Sequence, residues 1–206
     1  TSSHRLQNPK SLLSMRITLY THPMCPFAQK VAIALNYAYP DYTSQTVSLY
    51  SSSGPFPKSK LREVESNYWL TPKGYIPVLL HEVEESNPVC LQESDDILDY
   101  IASLDESLKP SNLENHSKVR RALKALPTNT NKPGSLLTTL DGICSTSAYL
   151  GGNSFSTTDC IALPFLQRIK ETHSLEGFDK LNEYYSKLEG EEYYMKSCSS
   201  EWWWWW

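Results

Sequence analysis

The chain has 206 residues, 40% hydrophobic and 20% charged, with a formal net charge of −4, enough for one large domain or two modest ones. No apolar run approaches the roughly 20 residues a membrane helix needs, and a mildly acidic chain without a long basic stretch gives no electrostatic ground for a nucleic-acid partner. The five cysteines, Cys25, Cys90, Cys144, Cys160 and Cys198, are odd in number and irregularly spaced. They point to reduced thiols in a reducing compartment, and none forms a zinc pattern with the histidines.

Residues 1–14 are polar, carry His4, Arg5 and Lys10 and contain no acid. They read as an N-terminal extension, either ordinary or the remainder of an organelle transit peptide. Arg16 to Tyr20 alternates polar and apolar, the period of a half-buried strand. Ala28, Val31, Ala32 and Leu35 then fall at i, i+3, i+4 and i+7, the stripe of an amphipathic helix. Cys25 sits at this junction, followed by Pro26, which suits a first helical turn. A sulfur placed there meets unpaired backbone N–H groups and the positive end of the helix dipole, so the thiol gives up its proton more readily. Three residues on stands Ala28, not a second cysteine, so no disulfide closes within the site. A lone activated thiol must form its mixed disulfide with something else, and a small thiol held beside it is the natural partner. His22 precedes Cys25 by three residues and reads as a solvated turn residue.

Tyr37 to Asp41 is a turn and Tyr42 to Tyr50 a second strand, so strand, helix and strand form a parallel pair with a crossover. Ser51 to Pro55 is a loop, and residues 57–70 are a short helix with Leu61, Val64 and Tyr68 inward. Ile76 to Leu80 begins a third strand, where Pro77 is a tolerated strand starter; a cis bond before it cannot be read from sequence. Residues 82–88 connect to a fourth strand, Val89 to Leu91. Ser94 is the expected N-cap of a helix carrying Ile97, Tyr100, Ile101 and Leu104, with Asp95 and Asp96 in its first turn.

Residues 107–114 form a plausible linker, and everything beyond reads as helical: Asn115 to Leu126, Ser135 to Leu150, and a helix opened by Ser156 and Asp159. That pair is a capping box with Asp in place of Glu or Gln, and Pro164 marks a bend in the helix. A last helix carries Phe178, Leu181, Tyr185 and Leu188. The run Trp202 to Trp206 matches no folding pattern, would be an aggregation liability if exposed, and reads as a tag or placeholder.

These pieces in this order resemble the cytosolic-type glutathione transferases, whose fold class is α/β plus all-α: a thioredoxin-like domain, here residues 15–106, and an all-helical one, here 115–200. Cys25-Pro26-Phe27-Ala28 looks like the cysteine-type classes (omega, lambda and the dehydroascorbate reductases), and Ala28-Gln29-Lys30 with Glu93-Ser94-Asp95 looks most like lambda. The resemblance implies that glutathione is a co-substrate and Cys25 the catalytic thiol, with Phe27 lining the site. It also implies that the Ile76 backbone, ahead of a cis Pro77, pairs with the cysteinyl part of glutathione. Glu93 and Ser94 would hold the γ-glutamyl end, a sensible chemistry for a helix N-terminus facing a carboxylate. For the glycyl end Lys58 and Lys60 are both candidates, since an apparent insertion around residues 51–57 leaves that assignment open.

The implied activity is a thiol transferase or reductase acting on a glutathionylated substrate or on a small oxidised one such as dehydroascorbate, in the cytoplasm or in an organelle, without a metal. The alternative is a non-catalytic ligand carrier or an accessory subunit of a larger complex, since fold does not fix function. Retention of Cys25, Glu93 and Ser94 together favours the enzyme. The helical half departs from the family: the chain between the linker and Gly151 is short, and residues 127–134 interrupt it. The second-substrate wall and the choice among homodimer, monomer and subunit both depend on that stretch.

Overall fold

A computed structural model of the chain describes residues 15–48, 56–83, 86–126 and 133–198. The N-terminal extension, the tryptophan run, the expected loop at 51–55 and most of the interruption at 127–134 lie outside the described residues.

Four strands form one mixed sheet: β1 (Met15–Thr21), β2 (Thr43–Thr46), β3 (Val78–Val83) and β4 (Val89–Gln92), in the order β2-β1-β3-β4. β1 runs parallel to β2 and antiparallel to β3, and β4 is antiparallel to β3. The parallel pair is joined by α1 (Pro26–Ala38), as the strand–helix–strand spacing predicts. Described β2 is shorter than expected, ending at Thr46. Val47 beyond it is buried, and Ser48 makes an isolated bridge to Pro57.

Alternation along the strands sorts their side chains to two faces. Ile17, Leu19 and Leu79 join the large core under α1 and α3 (Ser94–Leu104). Tyr20, Val78 and Leu80 turn to a smaller cluster closed by Leu61 of α2 (Lys58–Asn67). The cap of α3 differs from expectation. Glu93, with φ 65° and ψ 117°, is the N-cap and Ser94 is already the first helical residue, because the chain leaves β4 through a left-handed residue and enters the helix one position later.

After a 3₁₀ turn at Glu106–Leu108 come α4 (Leu113–Lys124), α5 (Gly134–Cys144), α6 (Thr157–Thr172), α7 (Asp179–Glu189) and α8 (Glu192–Met195). α5 stops at Cys144 rather than reaching Leu150, because the chain turns there and pairs Tyr149 with Gly152. The short α8 has no counterpart in the sequence reading. Its four residues span little more than one turn, too few to establish a period.

α6 is the central helix of this region, buried from Thr157 through Pro164 and again at Leu166 and Ile169. The expected capping box is present with Asp as its acid. Asp159 is fully buried and accepts from the N–H groups of Leu150 and Ser156, each at 2.9 Å, from Ser156 Oγ at 3.0 Å and from Tyr184 Oη at 2.7 Å. Burial pushes its carboxyl above the ordinary range, and these four donors pull the other way. The turn before it has no room for side chains: a Cβ on Gly151 would collide with Ser156 Oγ. The Gly151 carbonyl accepts from Asn112 N–H at 2.9 Å, which ties the start of α4 to the start of α6.

Asp159→Ala leaves these buried donors unmet. Urea denaturation is expected to show a loss of about 3–5 kcal/mol; a loss below about 1 kcal/mol would mean the cap carries little of the stability.

Candidate active site

Cys25 is the N-cap of α1, with φ −89° and ψ 111°. Its carbonyl accepts from Ala28 N–H at 3.1 Å and Gln29 N–H at 2.9 Å, while its own N–H donates to the His22 carbonyl at 3.0 Å. His22 Nδ1 accepts from Met24 N–H at 3.2 Å, so this histidine is used in shaping the turn, and burial lowers its pKa. The thiol is half-buried and its Sγ donates toward the Ile76 carbonyl oxygen at 4.0 Å. The Ile76–Pro77 peptide is cis. Phe27 is 50% exposed and meets Phe165 of α6 edge-on, with centroids 5.9 Å apart. Burial raises the other four thiols: Cys90 to about 11, Cys144 to about 12, Cys160 well above its ordinary value and Cys198 in the same direction.

Ser94 is buried at the N-terminus of α3, beside exposed Glu93. Glu93 accepts from Lys73 Nζ at 2.8 Å. Behind this pair Glu65 is fully buried and accepts from Gly74 N–H at 2.7 Å and from Gln92 Nε2 at 2.6 Å. Gln92 Nε2 also donates to the Thr71 carbonyl at 2.8 Å. The loop carrying Lys73 is thereby tied to α2 and to the end of β4.

A second polar cluster joins the two halves. Lys30 of α1, its side chain 5% exposed, pairs with Asp95 of α3, and Arg120 of α4 donates to the other Asp95 oxygen at 2.7 Å. Burial acts to raise the Asp95 carboxyl, but the hydrogen bonds and charges of Lys30 and Arg120 outweigh it and hold it below its ordinary value.

Between these groups lies a cleft of about 1010 Å³. Phe27, Ile76, Pro77, Glu93 and Ser94 line it; Cys25 does not, though Pro26 and Phe27 beside it in the chain and Ile76, toward which its sulfur points, do. Lys58 and Lys60 do not line it; they occupy the first turn of α2. Lys73 does, as do Lys30, Asp95, Arg120 and Arg168, none of which the sequence reading singled out as a site residue. One signal was readable. From Ala28 to Leu35 every residue is buried, Gln29 and Lys30 included, in a stretch too apolar for a helix with one open face. Polar residues inside such a stretch need partners.

Residues 19–110 match the family model described as glutathione S-transferase, N-terminal domain. A search of curated proteins finds no match to the sequence. Among solved structures, the chain is similar to the delta-class glutathione transferase of Nilaparvata lugens at 22% identity, over 88% of this chain and 92% of that one, with a TM-score of 0.66. Glutathione transferase Omega 1C of Trametes versicolor gives 21% identity over 89% and 91% of the two chains, with a TM-score of 0.62. A glutathione transferase family member of Pseudomonas fluorescens, solved with two glutathione molecules bound, gives 18% identity over 94% of each chain and a TM-score of 0.67. The fold of this chain is therefore the glutathione transferase fold, a thioredoxin-like N-terminal domain followed by a helical region.

Asp95→Asn tests the cluster at the junction. Its carboxyl gives up its proton more readily folded than unfolded, so its contribution is present above the unfolded value, about pH 4, and lost as pH falls through the folded one. The variant is expected to lose about 2–3 kcal/mol at pH 7, a gap that narrows below about pH 4. Urea midpoints across pH would show this; a gap independent of pH would assign the loss to packing.

Proposed function

We propose that this protein is a glutathione-dependent thiol transferase or reductase working through a mixed disulfide on Cys25. The observation that carries the reading is the position of that thiol: the N-cap of α1, its sulfur toward the carbonyl of Ile76, a residue lining a cleft that reaches the N-terminus of α3. The α1 terminus sets unpaired backbone N–H groups and the positive end of the helix dipole beside this residue. Retention of the cysteine-type motif favours covalent chemistry over conjugation, because a thiolate reacts with a disulfide where a hydroxyl only polarises bound glutathione.

In this reading Ile76 pairs its backbone with the cysteinyl part of glutathione, and the first N–H groups of α3 with the Ser94 hydroxyl receive the γ-glutamyl carboxylate. Glu93 faces the γ-glutamyl ammonium. Lys73, beside Glu93 in the cleft, is a better placed cation for glutathione than Lys58 or Lys60. The Cys25 thiolate attacks the glutathione sulfur of a glutathionylated substrate; the substrate's S–S bond breaks and its thiolate leaves and takes a proton. A second glutathione, as thiolate, then attacks the sulfur of the Cys25-bound glutathione. Glutathione disulfide forms and the Cys25 thiolate is released. The net reaction turns the mixed disulfide and one glutathione thiol into the substrate thiol and glutathione disulfide.

The assay is reduction of a glutathionylated peptide, with peptide mass mapping of the protein. Cys25→Ser is expected to lose activity by about 100-fold or more, and the wild type to carry one glutathionyl group on the Cys25 peptide. Ser94→Ala is expected to raise KM for glutathione about tenfold with little change in kcat. Equal turnover by wild type and Cys25→Ser would overturn the reading and leave a non-catalytic subunit or carrier.

A further inference from the structure

Arg168 lies on α6, in the helical region, yet its guanidinium reaches the turn that carries Cys25. Nη1 donates to Gln29 Oε1 at 2.8 Å and to the Pro164 carbonyl at 2.7 Å; Nη2 donates to the Met24 carbonyl at 3.2 Å. All three acceptors are neutral, and among the described residues Arg168 forms no ion pair. Gln29 is held in turn, its Nε2 donating to Gln167 Oε1 at 2.7 Å. A half-buried guanidinium remains charged, and enclosing a cation without a counter-ion is costly.

The groups around it narrow the choice of counter-ion. On its own helix Glu171 is the strongest charge acting on it, but it is exposed, where water screens it. From the C-terminal segment come Tyr194 and Cys198, both kept neutral by burial. On α1, Lys30 is a second cation, already matched by Asp95. On the turn itself His22 is neutralised by burial. The thiol one residue beyond Met24 is the ionisable group on the turn that Arg168 holds, and after Glu171 it is the next to act electrostatically on Arg168.

We propose that Arg168 is a positioning residue for Cys25, fixing the Met24 carbonyl so that the turn presents the sulfur and setting a positive charge from the helical region beside the thiolate. The two halves then make one nucleophile: the thioredoxin-like domain supplies the sulfur and the helix terminus, and α6 supplies a cation. This deepens the proposed function, on which it rests for the use made of the thiol.

The test is the rate of Cys25 alkylation by iodoacetamide, read on the Cys25 peptide from pH 5 to 9, for wild type, Arg168→Met and Arg168→Lys. A nearby opposite charge favours the ionised form by about tenfold or more. Arg168→Met is therefore expected to be about tenfold slower at pH 6 and within about twofold of wild type at pH 9, where thiolate forms unaided. Arg168→Lys, which keeps the charge, is expected to recover most of the pH 6 rate. A profile for Arg168→Met that superimposes on wild type, or a loss equal at every pH, would overturn the proposal. If Arg168→Met fails to fold by circular dichroism, Gln29→Met decides. It removes one anchor and keeps the charge, and a smaller loss confined to low pH supports the proposal where an unchanged profile refutes it. The Cys25→Ser assay is separate. Full activity in that variant would end the transferase reading while the alkylation profiles still report on Arg168.

Discussion

The constraint on which this structure depends is the enclosure of α1. It packs against α3 on one side and against α6 and α8 on another, so no face of its central turns remains for water. An isolated thioredoxin-like sheet with one open helix face would tolerate polar residues there freely. Here Gln29 and Lys30 are 4% exposed each, and every polar atom so placed demands a partner. Lys30 finds Asp95, and Gln29 finds Gln167 and Arg168. The helix that presents the thiol at its N-terminus is thus also the seam between the two halves.

That seam explains the character of the cleft. Its glutathione-facing side, by the proposed reading, is built from two β-to-α junctions, the turn before α1 and the left-handed Glu93 before α3, and from the cis peptide that leads from α2 into β3. Its other side is helix surface, with Phe165 and Arg168 from α6 and Leu123 and Lys124 from α4. Charge is paired close to the seam, where Asp95 sits between Lys30 and Arg120, and is met by neutral oxygens around Arg168.

Local chemistry was legible in the sequence and distant chemistry was not. The period of Arg16 to Tyr20, the stripe through Leu35, Pro26 after Cys25 and the Ser156–Asp159 box are each written within a few residues, and the structure has them all. The cap of α3 slipped by one residue because Ser94 is a good cap by type, whereas the backbone at Glu93 makes the break. α5 read too long because apolar periodicity continues past Cys144, and the turn to Gly152 is set by Asp159 accepting from Leu150. Lys73, Arg120 and Arg168 escaped notice because an ion pair or hydrogen bond between residues far apart in the chain leaves no local trace. Lys58 and Lys60 are candidates through the family resemblance, and neither lines the cleft from the first turn of α2.

The two helices forming the far wall are anchored very differently. α6 is pinned at its start by a buried carboxylate serving three segments and is covered along most of its length. α4 buries only Asn115 and Val119 and offers its C-terminal residues to the cleft. Exchanging exposed Lys124 at the end of α4 would reshape the cavity with little penalty elsewhere, whereas a change at buried Ile161 or Ile169 of α6 would travel into the core. The shape of the cleft is therefore easier to vary from α4 than from α6: one jaw of the vice is adjustable and the other is bolted to the frame.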